Sequence, residues 1–449
     1  MYELAEGKGD YQIEGDPVDF EVTSENVLVL QERDMEQSSL EEVAMALEAA
    51  LNDFAAMAHH RVKVAEAIDS KSAFQGALAL KHSVDFRASL AKRYGGPRVA
   101  VENYSYNVGV LVALEAEAEE QKGFFTRIID AIAKAFRWLW TKITELFSKK
   151  KDEAKTEKAK KDIEKVKEAE KSGGKPVEEF ITKDNTLKHF GFLGEHVTEA
   201  MVQDHIQKQH EHLKKMVAII ADASDFFEQL VNVSSNDESP DGYMREMTRI
   251  GEAIMARSIN TLPSSSKDEL TKAGALVENQ AIDEGSAKKL EGFLEGGGYY
   301  AWIERRSNVK MYASKFVVPK EIKVAKKIDF PKAAKLEDML KSSEELDKAI
   351  AESTKKILDT TKRSDELVDT LKRNLEKRSA AMSGNEGGKK EQQVIFGIVQ
   401  AAGSAIHRNI SAAARGVKQV ERTSLAFFEY SAATAAREFE KPATEEKKD

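Results

Sequence analysis

FFTRIIDAIAKAFRWLWTKITELF, residues 124–147, is the stretch whose periodicity decides the fold class. Phe125, Ile128, Ile132, Phe136, Leu139, Ile143 and Leu146 recur at steps of three and four, which lays them, with Ala135, on one wide helical stripe. Arg127, Asp130, Lys134, Arg137 and Lys142 fall on the opposite side. Such a stripe must be covered by the rest of the fold, by a partner helix or by the surface of a bilayer. Six charged residues interrupt the stretch, and this excludes a transmembrane span, which needs about 20 nearly uncharged residues. Trp138, Trp140 and the run Lys149, Lys150, Lys151 suit a headgroup zone, so membrane contact through residues 124–147 stands beside core packing and partner docking.

On either side of this helix the charge changes sign. Residues 1–120 hold 23 Asp and Glu against 10 Lys and Arg, a balance of −13, while the whole chain is −9, leaving +4 for residues 121–449. A mildly basic remainder lacks the concentrated Lys and Arg stripe of a nucleic-acid footprint. The chain of 449 residues has no cysteine, which excludes disulfides and thiolate-bound metals. Its opening MYELAEGKGD is acidic and polar, unlike the basic and then apolar pattern of a secretory signal.

Composition shifts divide the chain. Residues 1–37 read as an acidic extended arm, with VDFEV and NVLVL alternating weakly. Residues 38–122 read as a helical N-terminal region, where Leu40, Val43, Leu47, Leu51, Phe54, Ala58 and Val62 mark one helix face until Gly95, Gly96 and Pro97 stop it. The amphipathic helix occupies 123–148. Lysine and acid interleave through 149–176 with few bulky apolar residues, the pattern of a linker or exposed helix. Residues 177–330 form a helical middle domain, with helices expected near 195–233, 241–260, 267–292 and 299–314, and an extended run over 315–330.

In residues 331–441 the pattern is that of a long hairpin. Leu336, Met339, Leu346, Ile350, Ile357, Leu367 and Leu371 predict a seam along 335–382, and Val399, Ile406, Ile410, Val417, Val420 and Phe427 a second along 391–440. SGNEGGKK between them predicts an antiparallel return. A charged tail, 442–449, ends the sequence. The fold class expected is therefore mainly α, with long helices, a C-terminal antiparallel hairpin, and short extended or β segments near the N-terminus and around 315–330.

Catalytic signals are poor. The phosphate-binding, dinucleotide, nucleophile-elbow and zinc-protease motifs do not occur, so no catalytic residue, metal or cofactor is expected. Gly296, Gly297 and Gly298 read as a turn. His189, His196, His205, His210 and His212 lie within 24 positions, but their spacing matches no zinc motif, and they read as a solvated helix face, with a metal or pH-sensing role as the alternative.

The acidic N-terminal part, the GFFTRIIDAIAKAFRWLW helix at 123–140 and the Ala-rich terminal helices together resemble the internal head, or inner body, proteins of giant tailed bacteriophages of the phiKZ type. The resemblance implies a non-enzymatic structural virion protein, made in the bacterial cytoplasm and packed inside the phage head. Its implied partners are other virion proteins or further copies of itself, with loose association with DNA. It also implies removal of an N-terminal propeptide after a triplet of small residue, any residue and glutamate. Ala113-Leu114-Glu115 and Ala118-Glu119-Glu120 are candidate cleavage motifs at the charge reversal, although the same triplet recurs at Ala46-Leu47-Glu48 and Ser342-Ser343-Glu344. An elongated α-helical pore-forming protein, with 124–147 as the inserting element, and a cytoplasmic coiled-coil scaffold are the competing classes.

Overall fold

The computed structural model describes residues 126 to 440, apart from short stretches at 127–128, 131, 135, 148–152, 177–188, 236–238, 278–279, 307–308, 320, 322, 382–384 and 438. The arm at 1–37, the whole region 38–122, both cleavage triplets, Phe125, Ile128 and the tail lie outside these residues. The described protein is mainly helical, as its periodicity predicts.

The amphipathic stretch forms helix α1, helical at 126, 129, 130, 132–134 and 136–147. Ile132, Phe136, Leu139, Ile143 and Leu146 of the expected stripe are all buried, and so are Ile129, Ala133, Trp140 and Phe147. The covered face is therefore wider than the stripe and takes in Trp140, which is packed in the core. Trp138 points outward at 46% exposure. Beside it Arg137 pairs with Asp365 and Asp369, and Lys372 meets Asp130 at 2.5 Å, so the polar face of α1 is stitched to a later helix.

That helix is α6. In chain order the elements after α1 are α2 (Glu153–Lys171), β1 (Lys175–Pro176), β2 (His196–Val197), α3 (Glu199–Ser235), α4 (Pro240–Ser258), α5 (Lys267–Lys272) and β3 (Lys288–Leu290). Then come β4 (Gly298–Arg306), β5 (Val309–Val317), β6 (Lys327–Ile328), α6 (Ala333–Ala381) and α7 (Asn385–Ala402). A π-helical segment (Gly403–Ile410), α8 (Ser411–Ala435) and β7 (Phe439–Glu440) close the order. The lysine-rich stretch, read as a linker or exposed helix, is α2. It buries Lys155, Ala159, Asp162, Ile163 and Val166, a narrow stripe at steps of three and four that packs on α8 and α6.

The expected helix at 299–314 is a β-hairpin instead. β3, β4 and β5 form an antiparallel sheet in that order, with Tyr299 opposite Phe316 and Trp302 opposite Ala313. The helix expected over 267–292 covers only α5, which ends in a turn at Gly274 with φ +73°. The sheet has two buried sides: Tyr299, Ala301 and Phe316 join the main core, while Trp302 and Ala313 join a satellite with Leu270, Ala275 and Leu276. Polar and apolar residues therefore do not alternate along it, and periodicity could not reveal it. Residues 315–330 are extended only in part, ending β5 and supplying β6, which pairs in parallel with β2.

The C-terminal hairpin is present, and a long neighbour packs on both of its arms. Arg378 meets Glu391 at 3.4 Å near the turn, and Ser424 donates to Asp347 at 2.7 Å far from it. These contacts fix α6 antiparallel to the returning helices. The most extensive partner of α6, however, is α3, to which Asn374 donates at the Val231 carbonyl and at Ser234, while Arg363 meets Glu228. The return is also not one regular helix: the π-segment at 403–410 separates α7 from α8.

α8 lies in the middle of the fold. Twenty of its 25 residues are buried, and it touches α2, α3, α6, β4 and β5. Small residues make this possible: a Cβ on Gly416 would fall 2.6 Å from the sulfur of Met216 on α3. A side chain at this position would therefore have to displace the Met216 thioether.

The burial of α1 leads to a direct test. Phe136→Ala removes a ring that is 0% exposed and packs 5.5 Å from Phe227, and is expected to cost about 3–5 kcal/mol. Trp138→Ala should stay within about 0.5 kcal/mol. Urea unfolding of both variants checks this, and equal losses would contradict the packing of α1.

Candidate functional site: two histidine clusters on one pair of segments

The first cluster grows from the inner face of α3. Val202, Ile206, Gln209, Leu213 and Met216 follow one another at steps of four, three, four and three, and all are buried. Gln209 thus occupies a core position, with His205 and His212 flanking it at 3% and 6% exposure. Its amide nitrogen donates to the Gly292 carbonyl at 2.8 Å and lies 3.4 and 3.3 Å from Nδ1 of His205 and His212. With one amide hydrogen on the Gly292 carbonyl, the other is left to serve one Nδ1 or to be shared between the two, an arrangement that fits neutral rings.

Aromatic rings close the cluster. Phe190 and Phe192 stand edge-on to His205 at 6.2 and 5.1 Å, and Phe293 lies 4.9 Å from His212. Gly292 is held at φ +94°, a conformation suited to glycine, and a Cβ there would meet Cε1 of His212 at 3.4 Å. Burial, reinforced by the neighbouring His212, lowers His205 to about 3. Burial, with Lys215 and Lys208, lowers His212 to about 4. The reading of these histidines as a solvated face is corrected: only His196 of the five is exposed, and His210 is half-buried.

The second cluster has the opposite charge requirement. His189, 8% exposed, lies 3.3 Å from Glu295 through Nδ1 and 3.4 Å from Glu429 of α8 through Nε2. Arg422 of α8 reaches the other oxygen of Glu295 at 3.6 Å. Burial alone would lower His189, but the two carboxylates outweigh it and raise the imidazole to about 9. Burial would likewise raise Glu295, yet His189 and Arg422 hold it below the ordinary carboxylate range. Glu295 has φ 64°, the one positive φ outside glycine among the described residues. This strain, of order 1 kcal/mol or more, persists because cationic partners fix the side chain.

Among the described residues no group of three or more His, Asp or Glu side chains could hold a metal ion. An open groove of about 860 Å³, lined by Glu252, Asn260, Asp283, Glu284, Ser286 and Lys288, lies beside the sheet. Lys310 meets Glu252 and Asp283 there at 3.4 and 3.5 Å, so its carboxylates already face a cation. Gly296, at φ +75°, makes the expected turn ahead of β4. The interaction residues Ile132, Phe136, Leu139, Trp140 and Ile143 are brought together, but in the core.

No family model matches the chain, and neither the curated proteins nor the solved structures include a match.

The two clusters give stability opposite pH slopes. His205 and His212 sit below the ordinary value of about 6.5, so their contribution is complete above it and falls away as pH drops. At pH 5 the loss is about 2 kcal/mol for each ring. His189 sits above that value, so its contribution is complete below pH 6.5 and is lost as pH climbs towards 9. Urea-derived stability should therefore peak between about pH 6 and 7.5. A profile still rising at pH 9 would contradict these assignments.

Proposed function

We propose that this chain is a non-enzymatic structural protein packed inside a tailed-phage head and matured by proteolysis ahead of α1. The observation that carries the reading is the order of the junction. Both triplets, Ala113-Leu114-Glu115 and Ala118-Glu119-Glu120, precede Ile129, the first α1 residue seen in the core. A cut after either glutamate removes net negative charge and leaves α1 attached to its core. Cutting after Glu115 removes 20 acids and 10 bases, so a chain of −9 becomes +1; cutting after Glu120 removes 23 and 10 and leaves +4. A product of that sign suits loose association with DNA and with other virion proteins. The buried polar side chains described above fasten elements together, a use consistent with a packing role.

The membrane-active alternative has less support. The apolar face that motivates it is occupied in the core, and no described helix is long and apolar enough to cross a membrane.

In particles of the phage encoding this chain, terminal sequencing of the protein is expected to return Ala116 or Gln121 as the mature N-terminus. Recovery of Met1 or Tyr2 alone would sink the maturation step, and absence of the protein from particles would sink the virion reading.

A further inference from the structure

The two histidine clusters grip the same pair of segments from opposite sides. Residues 189–194 present Phe190 and Phe192 to His205, while His189 turns to Glu295 and Glu429. Residues 290–297 present Gly292 and Phe293 to Gln209 and His212, while Glu295 turns to His189 and Arg422. α3 therefore holds both segments by neutral rings, and α8 holds both by charge.

We propose that residues 189–194 and 290–297 form a pH-gated clasp, closed while the α3 histidines are neutral and His189 is protonated, and released when the α3 pair takes up protons. This device is independent of the virion reading.

Release on the α3 side follows from the surroundings. The charges acting on His205 are His212, Asp204 and Lys208, and those acting on His212 are Lys215 and Lys208, all borne by α3 itself. What faces these rings from the segments is Phe190, Phe192, Phe293 and a carbonyl already engaged by Gln209. Two imidazolium ions here would stand close together against aromatic rings, with Lys208 and Lys215 adding like charge. Asp204 is the single carboxylate acting on the pair, and it is exposed and committed to Lys208 at 2.5 Å. Proton uptake is relieved only by letting water reach the rings, and the segments in front of them are what must move.

The chain provides hinges for such a movement. β2 remains paired with β6, and Glu195 accepts from the backbone of Lys326 and Lys327 at 2.8 and 3.0 Å. On the other segment Leu290 is paired with Tyr299 in the sheet. Each segment is thus tethered at one edge and clasped at the centre. Opening would present Phe190, Phe192, Phe293 and Leu294 as a fresh apolar patch. On the α8 side the sign is reversed: loss of the His189 proton leaves Glu295 and Glu429 facing a neutral ring, so alkali loosens the clasp from the other face.

Hydrogen exchange of the full chain, followed by mass spectrometry at pH 7.5 and 5.0 and corrected for intrinsic rates, tests this. Each ring whose pKa returns to about 6.5 on opening adds up to tenfold per pH unit to the open population. Peptides covering 189–194 and 290–297 should therefore exchange at least tenfold faster at pH 5.0, because the gain from the two α3 rings exceeds the roughly tenfold opposing effect of His189, while those from α6 and α7 stay protected. The double variant His205→Gln, His212→Gln should abolish that acceleration. Equal exchange at the two pH values, simultaneous opening of α6 and α7, or unchanged acid acceleration in the double variant would each overturn the clasp. If circular dichroism shows the double variant unfolded at pH 7.5, the imidazole titrations of the wild-type chain decide. Rings at 205 and 212 that stay neutral until the segments open support the clasp, and rings that titrate near 6.5 in the closed protein refute it.

Discussion

α8 has almost no solvent face, and the rest of the molecule is arranged around what that requires. Arg422, Glu429, Lys418 and Arg415 all lie on this helix, and at Arg415 burial pulls the guanidinium down to about 10. Buried charge is tolerated where a counter-charge is brought to it. Glu295 comes to Arg422 from a strained turn and His189 to Glu429 from the far side of the first segment, while Ser424 in turn donates to Asp347 of α6. Elements distant in sequence are thus placed by what α8 carries, while Gly416 and its alanine neighbours set how near they come.

The π-segment ahead of α8 answers a related constraint. Widening the helix over Gly403–Ile410 shifts the phase of the face that follows and frees main-chain carbonyls, which need partners. The β4–β5 hairpin supplies one such partner and receives two side chains of the segment in return. Ser314 donates at 2.8 Å to the Arg408 carbonyl, Asn409 donates at 3.2 Å to the Tyr312 carbonyl, and the Arg408 guanidinium pairs with the buried Glu304. The hairpin is therefore the brace that lets α7 and α8 share one helical run without sharing one face.

Legibility of this fold in the sequence followed the number of buried faces. α1 and α6 have one covered face and one wet face, and Ile132, Phe136 and Leu139 or Leu336, Met339 and Leu346 announce it by spacing alone. β4 and β5 are covered on both sides, so Tyr299 to Trp302 show no alternation and were read as helix. The π-segment left no mark, because its polar residues, Ser404, Arg408 and Asn409, look like ordinary punctuation of a helix. The histidine clusters are hidden for a different reason: the spacing of the histidines fits no metal, and the telling position is Gln209, in register with Val202, Ile206, Leu213 and Met216. A polar residue in an apolar register marks a buried polar contact, and that signal was available.

α8 is also synthesised after every helix and strand it packs on. α2, α3, α6, β4 and β5 leave the ribosome before the piece that fills their common centre exists, and the pairing of α2 with α8 closes a loop of some 250 residues. Until then those elements must hold apolar faces toward an unfilled space, the condition in which chains associate wrongly or require a chaperone. α3 and α6, long and joined by their own polar contacts, form a pair that can wait in register. Whatever forms earlier, the common centre is filled only once α8 is in place.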